Sequence, residues 1–121
     1  MSGLAIGKAI KSILGGIEKV YPLVADEGTT FPFVVYRRSA LTPSSTKDRY
    51  NHKESAIVEI IVASNSYPEG INLAEYVKDK MENTRGIFND VNVGEITLIS
   101  ADEDYLEDTF IQKMNFNIEI I

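Results

Sequence analysis

His52 is the single histidine in 121 residues, and an imidazole is the first group to consider for acid–base chemistry near neutral pH. It stands in a polar run with Arg49, Tyr50 and Lys53. Asp48 or Glu54 could orient it as a general base, but no companion motif asks for that use, and a solvated loop histidine is the plainer reading. Five carboxylates crowd one short stretch: Asp102, Glu103, Asp104, Glu107 and Asp108. A hard cation takes oxygen ligands of this kind, yet the spacing lacks the glycine and the terminal bidentate glutamate of a helix-loop-helix calcium site. A charged hairpin turn is expected instead, with contact to a basic partner surface as the functional alternative. Arg37, Arg38, Lys47, Arg49 and Lys53 gather on an expected hairpin. They read either as ordinary solvation of a ribbon or as a docking arm for carboxylates on a neighbouring subunit. Opposite charges on hairpin and turn suit head-to-tail association, so these basic and acidic residues, with Tyr50, form the candidate partner interface.

Composition narrows the chemistry. Cysteine is absent, which removes disulfides, thiolate ligands and cysteine nucleophiles. A zinc site with one histidine would need carboxylates or waters for the rest of its shell, an uncommon set. There is no glycine-rich phosphate loop, nucleophile elbow or HExxH motif, so neither catalytic residues nor a cofactor nor a metal is expected. Twelve basic residues oppose eighteen acidic ones, a formal charge of −6. Such a surface repels polyphosphates overall, and without tryptophan no base-stacking platform stands out. No sequence-specific nucleic-acid partner is expected, and sequence-independent DNA binding is disfavoured, although a local basic patch remains compatible with the charge. The opening Met1–Gly16 stretch is interrupted by Lys8 and Lys11, unlike a signal peptide or a membrane span. The expectation is no membrane partner and synthesis in a cytoplasm.

The elements that would position these residues follow from periodicity. Ile6, Ile10, Ile13, Leu14 and Ile17 share one face of a helix over Ser2–Lys19, with Ser2 as N-cap and a weak point at Gly15-Gly16. Phe31–Arg38 is apolar and β-branched, a strand with Pro32 at its start or on an edge. The polar stretch Ser39–Lys53 reads as the tip of an extended hairpin returning through the strand Glu54–Ser64. A second helix is expected over Tyr67–Asn83, with Ser66 as N-cap, Ile71, Ala74, Val77 and Met81 buried, and Gly86 just past its end. Gly94–Ala101 is a third strand, Asp102–Asp108 an acidic turn, and Thr109–Ile121 a fourth strand with clean period-two alternation. The expected fold is a single two-layer α+β domain of order αββαββ: a four-stranded antiparallel sheet with two helices packed on one face.

That order resembles the tail-completion, or head-to-tail joining, proteins of long-tailed phages and prophages. The stretches that carry the resemblance are the amphipathic opening helix running to Tyr21-Pro22-Leu23-Val24, the segment Phe31-Pro32-Phe33-Val34-Val35-Tyr36, and the strand Ile57–Ser64 followed by a helix near Tyr67. The last is the terminal hairpin with Phe110, Met114 and Phe116. Ile61 and Val62 stand where the family often has an aromatic residue. The resemblance implies a structural protein with no catalytic residues. It would form a ring, six subunits being one candidate size, that caps the tail tube and meets the head connector. It would assemble in the host cytoplasm and end in the virion tail. Its partners would be further copies of itself, the tail-tube protein and the head connector protein. Sheet edges are natural material for such contacts, and the hairpin Arg37–Lys53 and the terminal strand Thr109–Ile121 are the expected candidates. The alternatives are a non-viral oligomeric adaptor of the same fold, and a small hydrolase or isomerase built on His52.

Overall fold

A computed structural model describes residues 3–42 and 54–121. A 3-10 turn (Gly3–Ala5) leads into α1 (Ile6–Ile13). Then follow β1 (Val20–Pro22), β2 (Phe33–Thr42), β3 (Glu54–Ser64), α2 (Tyr67–Glu82), β4 (Gly86–Phe88), β5 (Val91–Leu106) and β6 (Thr109–Ile120).

The six strands make one sheet in the order β1-β2-β3-β6-β5-β4. This corrects the expected four-stranded antiparallel sheet of order αββαββ. The sheet is mixed, because β1 runs parallel to β2, while every other junction is antiparallel. The two extra strands are three residues each and owe their existence to distant or turn-dependent partners. β1 pairs Val20 with Val34 across the sequence, and the Leu23 N–H continues the pairing to the Tyr36 carbonyl. β4 is folded onto β5 by the turn Asn89-Asp90, both residues at positive φ. Asn and Asp tolerate that region better than other side chains do. Gly86, expected just beyond the helix, instead opens β4 at φ 129°.

The sheet curls into a half-barrel. Helix α1 touches β1 and β2 near one edge and β4 at the other, so the opposite borders wrap around a single helix. Asn89 ties this closure by donating from Nδ2 to the Lys8 carbonyl at 2.7 Å and to Ser12 Oγ at 2.6 Å. Lys11 donates to the Val20 carbonyl at 2.7 Å, a structural role for one of the two lysines on that helix. The helix stops earlier than expected. Its last regular residue is Ile13, with Leu14 capping back to Ile10 just before the two glycines. The proposed N-cap Ser2 lies outside the described residues.

Helix α2 matches its expected span to within one residue and packs on β3, β6 and β5. Ser66 is extended, as an N-cap should be, but its side chain makes no cap bond. Ser64, fully buried, does the work: its Oγ accepts from the Ser66 N–H at 3.0 Å and donates to the Ser66 carbonyl at 2.9 Å. Gly70 lets the helix approach this corner, because a Cβ there would lie 3.3 Å from the Ser64 Cβ. One core cluster joins all of this. Phe116, Ile118, Val58 and Ile60 from the sheet meet Ile6, Ile10 and Leu14 from the first helix region and Val77 and Met81 from α2. Each fully buried side chain of this kind contributes about 1.5–3 kcal/mol.

Candidate interaction surface

Beyond its short pairing with β4, β5 is the border strand of the sheet, and its distal part forms an acidic arm along that border. β3 flanks β6 as far as Phe110, so only the turn between Leu106 and Thr109 passes the end of the sheet. The last eight residues of β5, Ile99 to Leu106, are exposed on both faces, so the acidic stretch is mostly strand and not the expected turn. The turn itself is only Glu107-Asp108, both at positive φ, between Leu106 and its partner Thr109. Two facing positive-φ residues are the signature of a type I′ hairpin.

Strand alternation then sorts the carboxylates. Asp102 stands opposite Lys113 and Asp104 opposite Ile111, on the face away from the helices, whereas Glu103 stands opposite Gln112 on the helix face. There Glu103 Oε2 accepts from Tyr67 Oη at 2.8 Å and from Gln112 Nε2 at 2.9 Å. These two hydrogen bonds, Gln112 foremost, hold the Glu103 carboxyl below its ordinary range. The same bond holds the Tyr67 phenol above its own. Phe110 lies between two tyrosines, 4.8 Å from Tyr105 and 5.7 Å edge-on from Tyr67. Tyr105 Oη donates to Asp108 at 3.1 Å. The arm is therefore anchored to the first turn of α2 by an aromatic and carboxylate cluster. On the opposite face a shallow groove runs over Phe33, Ile61, Ala63, Leu106 and Ile111. Because the carboxylates splay to both faces, they do not converge on a cation; no metal-binding group occurs among the described residues.

The basic residues are dispersed as well. Arg37 lies on the outer face, with Nε 3.4 Å from Glu59. Arg38 donates to the Leu4 carbonyl at 3.0 Å. Lys47, Arg49, Tyr50, His52 and Lys53 lie outside the described residues. The strand ends on either side of them, Thr42 and Glu54, are at the end of β3 remote from Ser64, next to which the acidic arm ends. β3 has eleven residues, so about 35 Å separates the two ends. The expectation that the terminal strand offers an edge is overturned: β6 is paired on both sides, with β3 and β5.

The open edges lie elsewhere. Among the described residues, β1 covers β2 only at Val34–Tyr36, and no strand flanks Arg37–Thr42 on that side. β4 covers β5 only at Val91–Val93, leaving Glu95–Leu106 similarly open. Sequence reasoning missed Tyr67, Tyr105, Phe110 and Gln112 as members of the arm cluster. The hairpin register would have paired Tyr105 with Phe110; nothing local signals Tyr67, 36 residues from Glu103.

No known family profile matches the sequence, and no curated protein does. The fold is found among solved structures. A chain of the virion of a native gene transfer agent particle superposes with a TM-score of 0.68 over 92% of this chain and 83% of its own, at 13% identity. A second solved chain matches over all of this chain and 96% of its own, at 11% identity and a TM-score of 0.59. At these identities the likeness establishes a shared fold.

Proposed function

We propose that this protein is a structural component of a phage-like particle. Its copies form a ring that caps the tail tube and joins it to the head connector, acting by association and not by turnover. The observation that carries this reading is the fold shared, over nearly the whole chain, with a component of a virion. Two features of the surface support it. Open strand segments remain on both borders of the sheet, and a ring needs two different patches on each subunit. The acidic part of β5 lies toward one border of the sheet while Arg37 and Arg38 lie toward the other, so unlike charges can meet between copies.

The test is imaging of particles assembled with and without this chain. Tails of uncontrolled length, or finished tails that fail to join heads, are expected in its absence. Normal infectious or transducing particles made without it would remove the role.

A further inference from the structure

We infer that the hairpin turn at the end of the acidic arm, Leu106-Glu107-Asp108, seats in the groove beside α1 of the next copy. This rests on the self-association proposed above and names the two surfaces that perform it. The partner is a second copy of this chain.

The groove runs along α1. Gly7, Lys8 and Lys11 line it from the helix, Pro22 and Tyr36 from β1 and β2, and Asn89 from the turn after β4, around a volume of about 570 Å³. That is large enough to take several groups at once. Its surface is mainly apolar, and Leu4 on the same wall is 64% exposed. Its charge is one-sided. The chain has eighteen acidic residues against twelve basic ones, yet among the described residues no carboxylate lines the groove, while Lys8 and Lys11 do. Arg38 brings a third cation alongside by donating to the Leu4 carbonyl at 3.0 Å. Lys11 is already held in place by the Val20 carbonyl. An apolar trough bordered by cations fits an apolar side chain carried next to an anion.

The turn has that chemistry. Leu106 is 57% exposed, and the exposed carboxylates of Glu107 and Asp108 follow it directly. Only this turn passes the end of the sheet, so it can enter a concave surface ahead of the strands. It is also shaped in advance: the two positive-φ residues set the bend, and Tyr105 Oη donates to Asp108. A tip ordered before contact loses little freedom on docking. No residue of the turn lines the groove of its own subunit. β5 lies four strand spacings from β1, about 19 Å along the sheet. The contact is therefore made between copies. Turn and groove are different surfaces and each copy offers both, so head-to-tail addition continues until a ring closes.

Gly7 supplies the test. A Cβ there would lie 3.6 Å from the Tyr36 ring, an ordinary contact, so a side chain fits and extends into the groove. Leucine also favours helix over glycine, so Gly7→Leu should keep its melting temperature while filling the groove. Gly7→Leu and Leu106→Ala should each weaken self-association about tenfold in sedimentation. Lys8→Glu or Glu107→Lys alone should weaken it, and the two together should recover most of the loss. The chain has no native cysteine, so oxidising a mixture of Lys8→Cys and Glu107→Cys proteins should give a mixed disulfide faster than either variant links to itself. If Gly7→Leu lowers the melting temperature, the mixed disulfide decides: its formation supports the contact and its absence overturns it. Association of Gly7→Leu and Leu106→Ala equal to that of the unmodified protein would overturn the contact while leaving a ring built through other surfaces. A protein that stays monomeric at every concentration, with no mixed disulfide, would overturn it as well; the role in the particle is decided separately by the imaging of assembled tails.

Discussion

Glu103 and Tyr67 hold the acidic arm against α2, and the link has a defined pH signature. Glu103 is ionised more readily in the folded protein than in the unfolded chain, because Gln112 and Tyr67 donate to its carboxylate. Its contribution is therefore complete above the ordinary carboxylate range and is lost as pH falls through its depressed value. Tyr67 is shifted upward, so its side of the contact persists below the ordinary phenol range and fails as pH rises through the raised value. The difference in phenolate absorbance between the native protein and Tyr67→Phe should titrate above the usual tyrosine midpoint, and Glu103→Gln should bring it back down. No change on Glu103→Gln would mean that the hydrogen bond does not set the phenol's acidity. None of this was visible in the run of acids, where Glu103 looks like its neighbours. Strand alternation singles it out, and only the tertiary packing of α2 supplies its partner.

At the scale of elements, the turn Glu107-Asp108 places two non-glycine residues in the left-handed region, at a cost of about 1–2 kcal/mol for Glu107 and less for Asp108. Replacing the pair by Asn-Gly should raise stability by about 1 kcal/mol in a denaturant melt, and unchanged stability would argue against the type I′ geometry. Phe116, fully buried in the middle of the sheet, should cost about 3–5 kcal/mol when cut to alanine. A loss under 1 kcal/mol would mean that the core is not organised around β6. The elements that were legible are those whose stabilisation is local or periodic. β3 has the bounds its sequence predicts, α2 is within a residue, and the alternating Met114, Phe116, Ile118 and Ile120 of β6 are all buried. What failed was decided elsewhere in the molecule. β1 and β4 are too short to carry a pattern, and each exists through its partner strand. β5 continues through Asp102–Asp104, where charge suggested a turn, because an arm with two solvated faces tolerates charge on both.

For the whole molecule, the sequence resembled a head-to-tail joining protein through order and spacing, and that order understated the sheet by two strands and missed its curl. The candidate interface was legible as two oppositely charged regions, but not as edges. Which strands lie at the borders depends on the non-sequential order β3-β6-β5, and no single stretch encodes it. If the acidic arm lines a channel through the ring, its charge keeps a polyphosphate from sticking. Reversing Asp102, Glu103 and Asp104 to lysine should then slow DNA ejection from assembled particles, and an unchanged ejection rate would exclude these residues from the channel wall. The proposed role stands on the position of this chain in a particle. Averaged electron images of purified particles carrying a labelled copy measure it most directly. A closed ring of label is expected at the junction of tail tube and head connector. Label spread along the tail, on the capsid, or absent from finished particles would contradict it.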